Sequence, residues 1–287
     1  MKKRTYLVFF NLFLCFFAFS KTTNLEEALQ NKWVSSSVVM LKNEEIQRYG
    51  LRLSLKNLTN EKLIVTIPVG FVFQAQDSMV QDFIHVESRE LIVPALSSSS
   101  MFLHASCIRA NRFSPKNGDT FLATTLASPQ LVALTTFAYE RKLYKTSAMQ
   151  SALWAISDNY DLVGIDNLEL AKFVAQLCKK TLPDYFVHYK NNDTPGIIAQ
   201  TALEPLAIKG LFQYTLPSDQ QVKLDLVDVS GKSILEQFHF VQIMTQHKGR
   251  HKFTFSISLS GVTRGTYFVK MTTLNNETEF ASKQVVF

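Results

Sequence analysis

The chain of 287 residues lacks the short motifs that most often identify an enzyme. It contains no Gly-x-Ser-x-Gly, His-Glu-x-x-His, phosphate-binding P-loop or Gly-x-Gly-x-x-Gly pattern, so the commonest signatures of serine hydrolases, zinc peptidases and nucleotide-binding proteins are missing. We therefore nominate no catalytic residue, no cofactor and no metal site. The expectation is a non-enzymatic protein, with a secreted hydrolase of unrecognised motif as the weaker alternative.

Concentrated positive charge is also lacking. Lys and Arg number 30 against 24 Asp and Glu, and three of the basic residues fall within the first 20 positions, which leaves 27 against 24 for the remainder. The sequence has no run of five or more basic residues that could follow a phosphate backbone. Nucleic acid is therefore excluded as an expected partner.

The apolar run near the start is too short to span a membrane. Lys2, Lys3 and Arg4 precede an apolar stretch over residues 6–19, and Ala18-Phe19-Ser20 provides small residues for cleavage. A spanning helix needs about 20 apolar residues. We interpret residues 1–20 as a cleaved signal peptide and expect no stable transmembrane anchor. The protein is then secreted or on the cell surface, with the periplasm as the alternative.

Alternation of apolar and polar residues predicts a β-sandwich after the leader. Predicted strands cover residues 38–41, 51–55, 63–67, 69–73, 83–86, 90–93 and 102–104. Three helices are expected next, the first from Pro129 and the second from near Ser147. The third starts at Asp166, where Glu169 completes a capping box. The first domain is therefore a sandwich with a helical subdomain over residues 21–185.

A second β-sandwich is predicted at the end of the chain. Strands are expected at residues 211–216, 222–229, 233–241, 253–259 and 267–273, with a short apolar segment at 284–287. Each strand is only half apolar, so two sheets must face each other. Turn-forming residues place a linker at 186–206 and the second domain at 207–287. The predicted fold class is mainly β, with two Ig-like sandwiches and about three helices.

Three sequence pieces give the C-terminal region its resemblance. They are Asp-Val-Ser-Gly-Lys at 228–232, Gly-Thr-Tyr-Phe-Val-Lys at 265–270 and Ser-Lys-Gln-Val-Val at 282–286. Together they resemble the type IX secretion sorting domain of Bacteroidetes and the related FlgD-type Ig-like fold. The resemblance implies a domain that engages the secretion machinery. Its motif residues are Gly231, Lys232, Gly265, Tyr267, Lys270 and Lys283.

Two kinds of motif residue carry structural expectations. Gly231 and Gly265 fit positions where the chain turns with positive φ. Tyr267 is expected to bury its ring while its hydroxyl reaches water.

Only two cysteines follow the leader, and three interpretations of them stay open. Cys107 and Cys178 can form a disulfide, which would close a loop of about 70 residues and stabilise the fold by roughly 4 kcal/mol. Both can instead stay thiols, with Cys178 acting as a small apolar side chain on a helix. The third interpretation is a thioester between Cys107 and Gln150.

The thioester interpretation rests on a second resemblance. Cys107-Ile108 at the end of a strand and Gln150-Ser151-Ala152-Leu153-Trp154 at a helix start weakly resemble the thioester, or TQXA, domains of Gram-positive adhesins. In those domains a Cys thiolate attacks a Gln side-chain carbonyl and expels ammonia, and the product captures amines on a target. The resemblance implies a covalent adhesin.

The combined expectation is an exported or cell-surface binding and adhesion protein. The N-terminal domain binds an extracellular protein or a glycan, and the C-terminal domain directs secretion or attachment. The covalent adhesin acting through Cys107 and Gln150 is the alternative.

Overall fold

The computed structural model describes residues 20–43, 48–191, 203–238, 242–275 and 277–287. Most of the described chain forms β-strands, and four α-helices interrupt them. The predicted fold class, mainly β with a few helices, is confirmed. The predicted signal peptide at 1–20 lies outside the described residues except for its last position. No helix in the described ranges is long and apolar enough to cross a membrane.

The first part of the chain forms two facing sheets. One has three strands in the order β1-β4-β7, and the other has seven in the order β8-β3-β2-β10-β5-β6-β9. Pairing is antiparallel except between β1 and β4. A short helix, α1 (Leu25–Gln30), follows β1, and the Asn24 side chain caps it. The strands are β1 (Ser20–Asn24), β2 (Val34–Asn43), β3 (Arg48–Asn57), β4 (Lys62–Ile67), β5 (Phe71–Ala75), β6 (Asp82–His85), β7 (Arg89–Val93), β8 (Ser98–Leu103), β9 (Ala105–Ile108) and β10 (Thr120–Leu126).

The seven-stranded sheet is apolar on both faces where β5, β6 and β9 lie. Phe71, Phe73 and Phe83 point into the sandwich core, while Val72 and Ile84 point to the outer face. Successive side chains of a strand leave opposite faces, so two cores must form on this one sheet. Full burial of one such side chain stabilises the fold by roughly 1.5–3 kcal/mol, which makes covering the outer face favourable.

Three helices cover that outer face and form a third layer. They are α2 (Pro129–Glu140), α3 (Ser147–Ser157) and α4 (Leu168–Cys178). Proline occupies the first turn of α2, as predicted. The cap of α4 is Asn167, whose side chain accepts from Leu170 N–H. The predicted cap Asp166 instead pairs with residues of the C-terminal sandwich, because a carboxylate gains more from cations than from one N–H.

The last part of the chain is a β-sandwich of three and four strands. The sheet orders are β11-β12-β15 and β14-β13-β16-β17, and every pair is antiparallel. This agrees with the predicted sandwich. The strands are β11 (Tyr185–Asn191), β12 (Leu203–Leu216), β13 (Gln220–Asp228), β14 (Gln242–Gln246), β15 (Gly249–Ser258), β16 (Thr266–Thr273) and β17 (Glu279–Val286).

Both ends of the predicted linker at 186–206 are strands of this sandwich. β11 pairs with β12 from Tyr185 to Asn191, and residues 192–202 lie outside the described part. Side chains of β11 alternate between two cores: Phe186 packs against the helices and Val187 is buried in the C-terminal core. The sandwich therefore begins before residue 207, since the segment carries an alternating strand pattern that its polar neighbours obscure.

The predicted strand at 233–241 is not present where it is described. A 3₁₀ helix spans Glu236–Phe238, and the next strand starts only at Gln242. The Ser233 hydroxyl donates to Asp225 and accepts from Glu236 N–H. Side-chain bonds of this kind compete with a strand ladder and favour a turn.

The buried His85 generates a prediction about acid stability. Burial lowers the pKa of His85 from 6.5 to about 4, although Nδ1 meets the Pro68 carbonyl at 3.1 Å. The unfolded chain then binds a proton more readily than the folded chain between these pH values, so stability falls as pH drops through that window. We expect His85 to contribute roughly 3 kcal/mol to this loss between pH 6.5 and pH 4.

Urea unfolding of the wild type and of His85→Asn at pH 6.5 and pH 4 measures this contribution. The Asn side chain keeps a donor near the position of the His85 Nδ1 atom but does not titrate. The variant should therefore lose less stability than the wild type between pH 6.5 and pH 4. His251→Gln, at a histidine of β15 whose ring contacts the His247 main-chain carbonyl and not a carboxylate, is the matched control and should lose as much as the wild type. Equal losses in the wild type and His85→Asn would contradict the prediction.

Candidate functional site

Gln150 lies at the edge of the seven-stranded sheet and binds the main chain of Cys107. The Cys107 N–H donates to Gln150 Oε1 at 3.2 Å, and Gln150 Nε2 donates to the Cys107 carbonyl at 2.6 Å. Cys107 belongs to β9, the outermost strand on that side. The outer N–H and C=O groups of an edge strand have no neighbouring strand to bind. The Gln150 amide binds them and so caps the edge.

The Cys107 side chain leaves the strand in a different direction from these bonds. Cys107 packs against the core of the first sandwich, while its neighbour Ile108 packs in the helical core. The Gln150 amide approaches in the plane of the sheet, whereas strand side chains stand out of that plane. The structure thus brings Cys107 and Gln150 together, through two hydrogen bonds between the Gln150 amide and the Cys107 main chain.

The disulfide considered between Cys107 and Cys178 is not formed. Cys178 ends α4, and its Sγ lies 3.8 Å from the Ala155 carbonyl of α3. It packs in the helical core on the outer face of the large sheet, whereas Cys107 packs against the core on the inner face. The sheet separates the two side chains.

Intact mass under non-reducing conditions tests both covalent interpretations. We expect the mature protein to show neither a deficit of two hydrogens nor a deficit of one ammonia, with no added mass after incubation with methylamine. The Gln150→Ala variant, which cannot form a thioester, is the control and should respond identically. A deficit of one ammonia that methylamine converts to an adduct, in the wild type alone, would contradict the structural role of Gln150.

The edge cap also predicts a loss of stability. Gln150→Ala removes the side-chain donor and acceptor that bind the main chain of β9. The free energy of unfolding should therefore fall by about 1–2 kcal/mol. Gln150→Glu keeps the acceptor but places a carboxylate against the Cys107 carbonyl, and it should be at least as destabilised. Ser151→Ala is the control from the next position of α3. Chemical denaturation measures all three, and an unchanged Gln150→Ala midpoint would be inconsistent with the cap.

The predicted turn at 228–232 is formed as a side-chain-stabilised turn. Asp228 Oδ1 accepts from the backbone N–H groups of Ser230 and Lys232 and from the Ser230 hydroxyl. These bonds lower the pKa of Asp228, the Ser230 hydroxyl being the strongest cause. Gly231 has φ of 83°, as expected for a turn glycine, and both it and Lys232 are exposed.

Gly265 and Tyr267 differ from the expectations for them. Gly265 has no positive φ; its N–H and C=O pair with Phe287. Tyr267 is buried, and its hydroxyl donates to the Thr263 carbonyl at 2.8 Å instead of reaching water. A tyrosine near the start of the penultimate strand that binds backbone upstream is the tyrosine corner of Ig-like sandwiches. Tyr267 therefore has a structural role at the turn before β16.

The motif lysines in β16 and β17 form ion pairs. Lys270 Nζ lies 2.8 Å from Glu279 of the neighbouring strand. Lys283 contacts the Asp184 carboxylate, just before β11. A solvent-accessible pair such as Lys270–Glu279 contributes about 0–1 kcal/mol. Of the three motif lysines, Lys232 is the one that is fully on the surface.

A cleft of about 390 Å³ opens where the helical layer meets the C-terminal sandwich. We call it the tyrosine cleft. It falls within the size range of small-molecule sites. Its lining residues are Ser151, Trp154, Asn159, Tyr160, Asp161, Val163, Gly164, Tyr185, Tyr189, Leu203, Arg264, Val286 and Phe287.

Contacts between the two layers fix the position of this cleft. Val187 of β11 donates its N–H to the Val163 carbonyl at 2.7 Å. Asp166 binds Lys209 at 2.9 Å and His188 at 3.1 Å, both from the C-terminal sandwich. The cleft lies beside these bonds, so its two walls are held by hydrogen bonds and ion pairs.

Gly164 leaves room at the floor of the cleft. A Cβ on this residue would lie 3.0 Å from Ser151 Oγ and 3.3 Å from the Tyr189 ring. Both neighbours line the cleft. The missing side chain therefore lets a hydroxyl of the helical layer and a ring of the C-terminal sandwich approach each other.

The cleft tyrosines stay protonated over the physiological pH range. Burial raises the pKa of Tyr160, Tyr185 and Tyr189. Asp161 adds to the effect at the last two, while Arg264 opposes it at Tyr189. A neutral phenol offers an apolar ring and a hydroxyl that both donates and accepts.

Trp154 forms the back of the cleft. It is 2% exposed and meets Tyr160 edge to face, with ring centroids 6.3 Å apart. Its indole N–H has no acceptor within the described ranges. Local sequence gives no signal for the surrounding tyrosines, because Tyr160 comes from the loop after α3 and Tyr189 comes from the predicted linker.

A second cavity, of about 470 Å³, is lined by Glu87, Tyr139, Glu140, Lys142, Tyr144 and Lys145. His104 binds the Glu87 carboxylate at 2.6 Å and the Tyr144 hydroxyl binds it at 3.2 Å. Burial alone would raise the pKa of Glu87, but His104 and these hydrogen bonds outweigh it and lower the pKa. Glu87 is thus ionised and engaged in joining the α2–α3 loop to the sheet.

Metal-binding clusters of three or more His, Cys, Asp or Glu residues are not found among the described residues. Comparison with the models of known protein families and with curated proteins gave no match to this chain.

Proposed function

We propose that the protein is an exported, non-enzymatic binding protein that holds a small extracellular ligand in the tyrosine cleft. The observation that carries the proposal is the cleft itself, in which three neutral tyrosines and Trp154 surround a space of about 390 Å³ between two layers. Aromatic walls with a few polar groups are typical of ligand sites.

The lining favours binding over catalysis. It contains no His or Cys side chain, and its tyrosines have raised pKa values, so they stay protonated near neutral pH and supply no phenolate base. Ser151 lines the cleft without a histidine beside it in the lining, whereas a nucleophilic serine needs a base within hydrogen-bond reach. The polar groups are suited to orienting a ligand.

In this proposal the C-terminal sandwich directs secretion or surface attachment through the secretion machinery. Support comes from the resemblance of its sequence to sorting domains and from the exposed turn at Gly231 and Lys232. The leader-like start of the sequence supports export across a membrane. The two walls of the cleft then come from the binding layer and the sorting domain, so both domains contribute to the site.

Tryptophan fluorescence tests whether the cleft binds a ligand. The chain has two tryptophans, and Trp33 lies in the first sandwich under Lys21, so Trp33→Phe leaves Trp154 as the reporter. We expect a saturable change with at least one class from a panel of neutral oligosaccharides, short peptides and nucleosides. Tyr189→Ala should weaken binding at least about tenfold, since it removes a cleft wall.

Tyr139→Ala is the matched control for that experiment. Tyr139 lines the Glu87 cavity instead, so its removal should leave the fluorescence titration unchanged. Circular dichroism of each variant checks that the fold is intact. The proposal fails if no class gives a saturable change, or if Tyr139→Ala and Tyr189→Ala have the same effect.

A further inference from the structure

We infer that the ligand of the tyrosine cleft is a neutral carbohydrate; this inference rests on the proposed function and specifies its ligand class. The cleft suits a compound with an apolar face, several hydroxyl groups at its edge and no net charge. A pyranose ring combines these three properties.

The rings provide the flat surfaces. Tyr160 comes from the loop after α3, while Tyr185 and Tyr189 come from β11 and pack against the edge of the C-terminal core. All three are partly exposed, so ring area faces the cleft. The C–H groups on one face of a sugar ring are apolar and pack well against the electron-rich face of an aromatic ring.

The polar groups provide acceptors and donors around those rings. Asp161 presents a carboxylate with two acceptor oxygens, which suits two adjacent ligand hydroxyls. Asn159 and Ser151 can each donate and accept. The Tyr185 hydroxyl accepts from Val286 N–H at 3.1 Å. Its own O–H proton therefore points away from Val286 and can be donated to another acceptor. Hydroxyls on a ligand satisfy this mixed set, because each of them is also donor and acceptor.

The charges disfavour an ionic ligand. Asp161 and Arg264 both line the cleft, and their opposite effects on the pKa of Tyr189 place both near its ring. An anion would be attracted by Arg264 but repelled by Asp161, and a cation would be attracted by Asp161 but repelled by Arg264, so the pair gives no net attraction for an ion of either sign. Arg264 also donates to the Leu203 carbonyl, which holds it at the rim. A neutral polyhydroxylated ring can bond to both groups without repulsion.

The test uses the mature Trp33→Phe protein with single members of the same panel. We expect neutral di- to tetrasaccharides to change Trp154 fluorescence saturably, and uncharged peptides and nucleosides to have no effect. Asp161→Asn should weaken sugar binding about tenfold, because a charged acceptor of two hydroxyls is replaced by a neutral one. Tyr189→Phe should bind nearly as well as the parent, since the ring is retained.

Each outcome separates this inference from the proposed function. Binding of peptides or nucleosides, with loss in Tyr189→Ala, would overturn the carbohydrate inference while the cleft would still be a ligand site. No binding by any class would overturn both. Sugar affinity that is unchanged in both Asp161→Asn and Tyr189→Ala would place the sugar outside the cleft and overturn the inference. Glu169→Gln, at an exposed acid on α4, controls for the change in charge alone.

Discussion

The outer face of the seven-stranded sheet is apolar along β5, β6 and β9, and this face has to be kept from water. Val72, Ile84 and Ile108 lie on it, and helices α2, α3 and α4 bury it. Without those helices three large side chains would stay exposed, at roughly 1.5–3 kcal/mol each. The position of the helical layer, and of everything attached to it, follows from this requirement.

Placing α3 against β9 has two consequences at the two ends of that helix. In its first turn Gln150 reaches the open edge of β9 and binds the Cys107 backbone. About one turn later Trp154 lies at the back of the tyrosine cleft, beneath the C-terminal sandwich. One helix therefore closes a sheet edge and supplies part of a candidate binding site.

Much of the architecture is predictable from sequence because it depends on local periodicity. The alternation in β4 and β5 and the proline at the start of α2 identify their elements directly. Short strands next to polar segments are harder: Phe186 and Val187 belong to two different cores, which no local pattern reveals. The tyrosine cleft shares this difficulty, because Tyr160 and Tyr189 meet only after two domains are packed together.

Cys107 and Gln150 show a further limit of motif reasoning. Their proximity follows from a strand end and a helix start that pack together, and the sequence is sufficient to suggest it. A reaction, however, also depends on the direction in which the cysteine side chain points. Successive side chains of a strand alternate between the two faces of the sheet, so a shift of one residue would place the sulfur on the opposite face. Here Cys107 faces the sandwich core, and Gln150 binds the strand edge. A motif match between two segments thus predicts contact more securely than it predicts reaction.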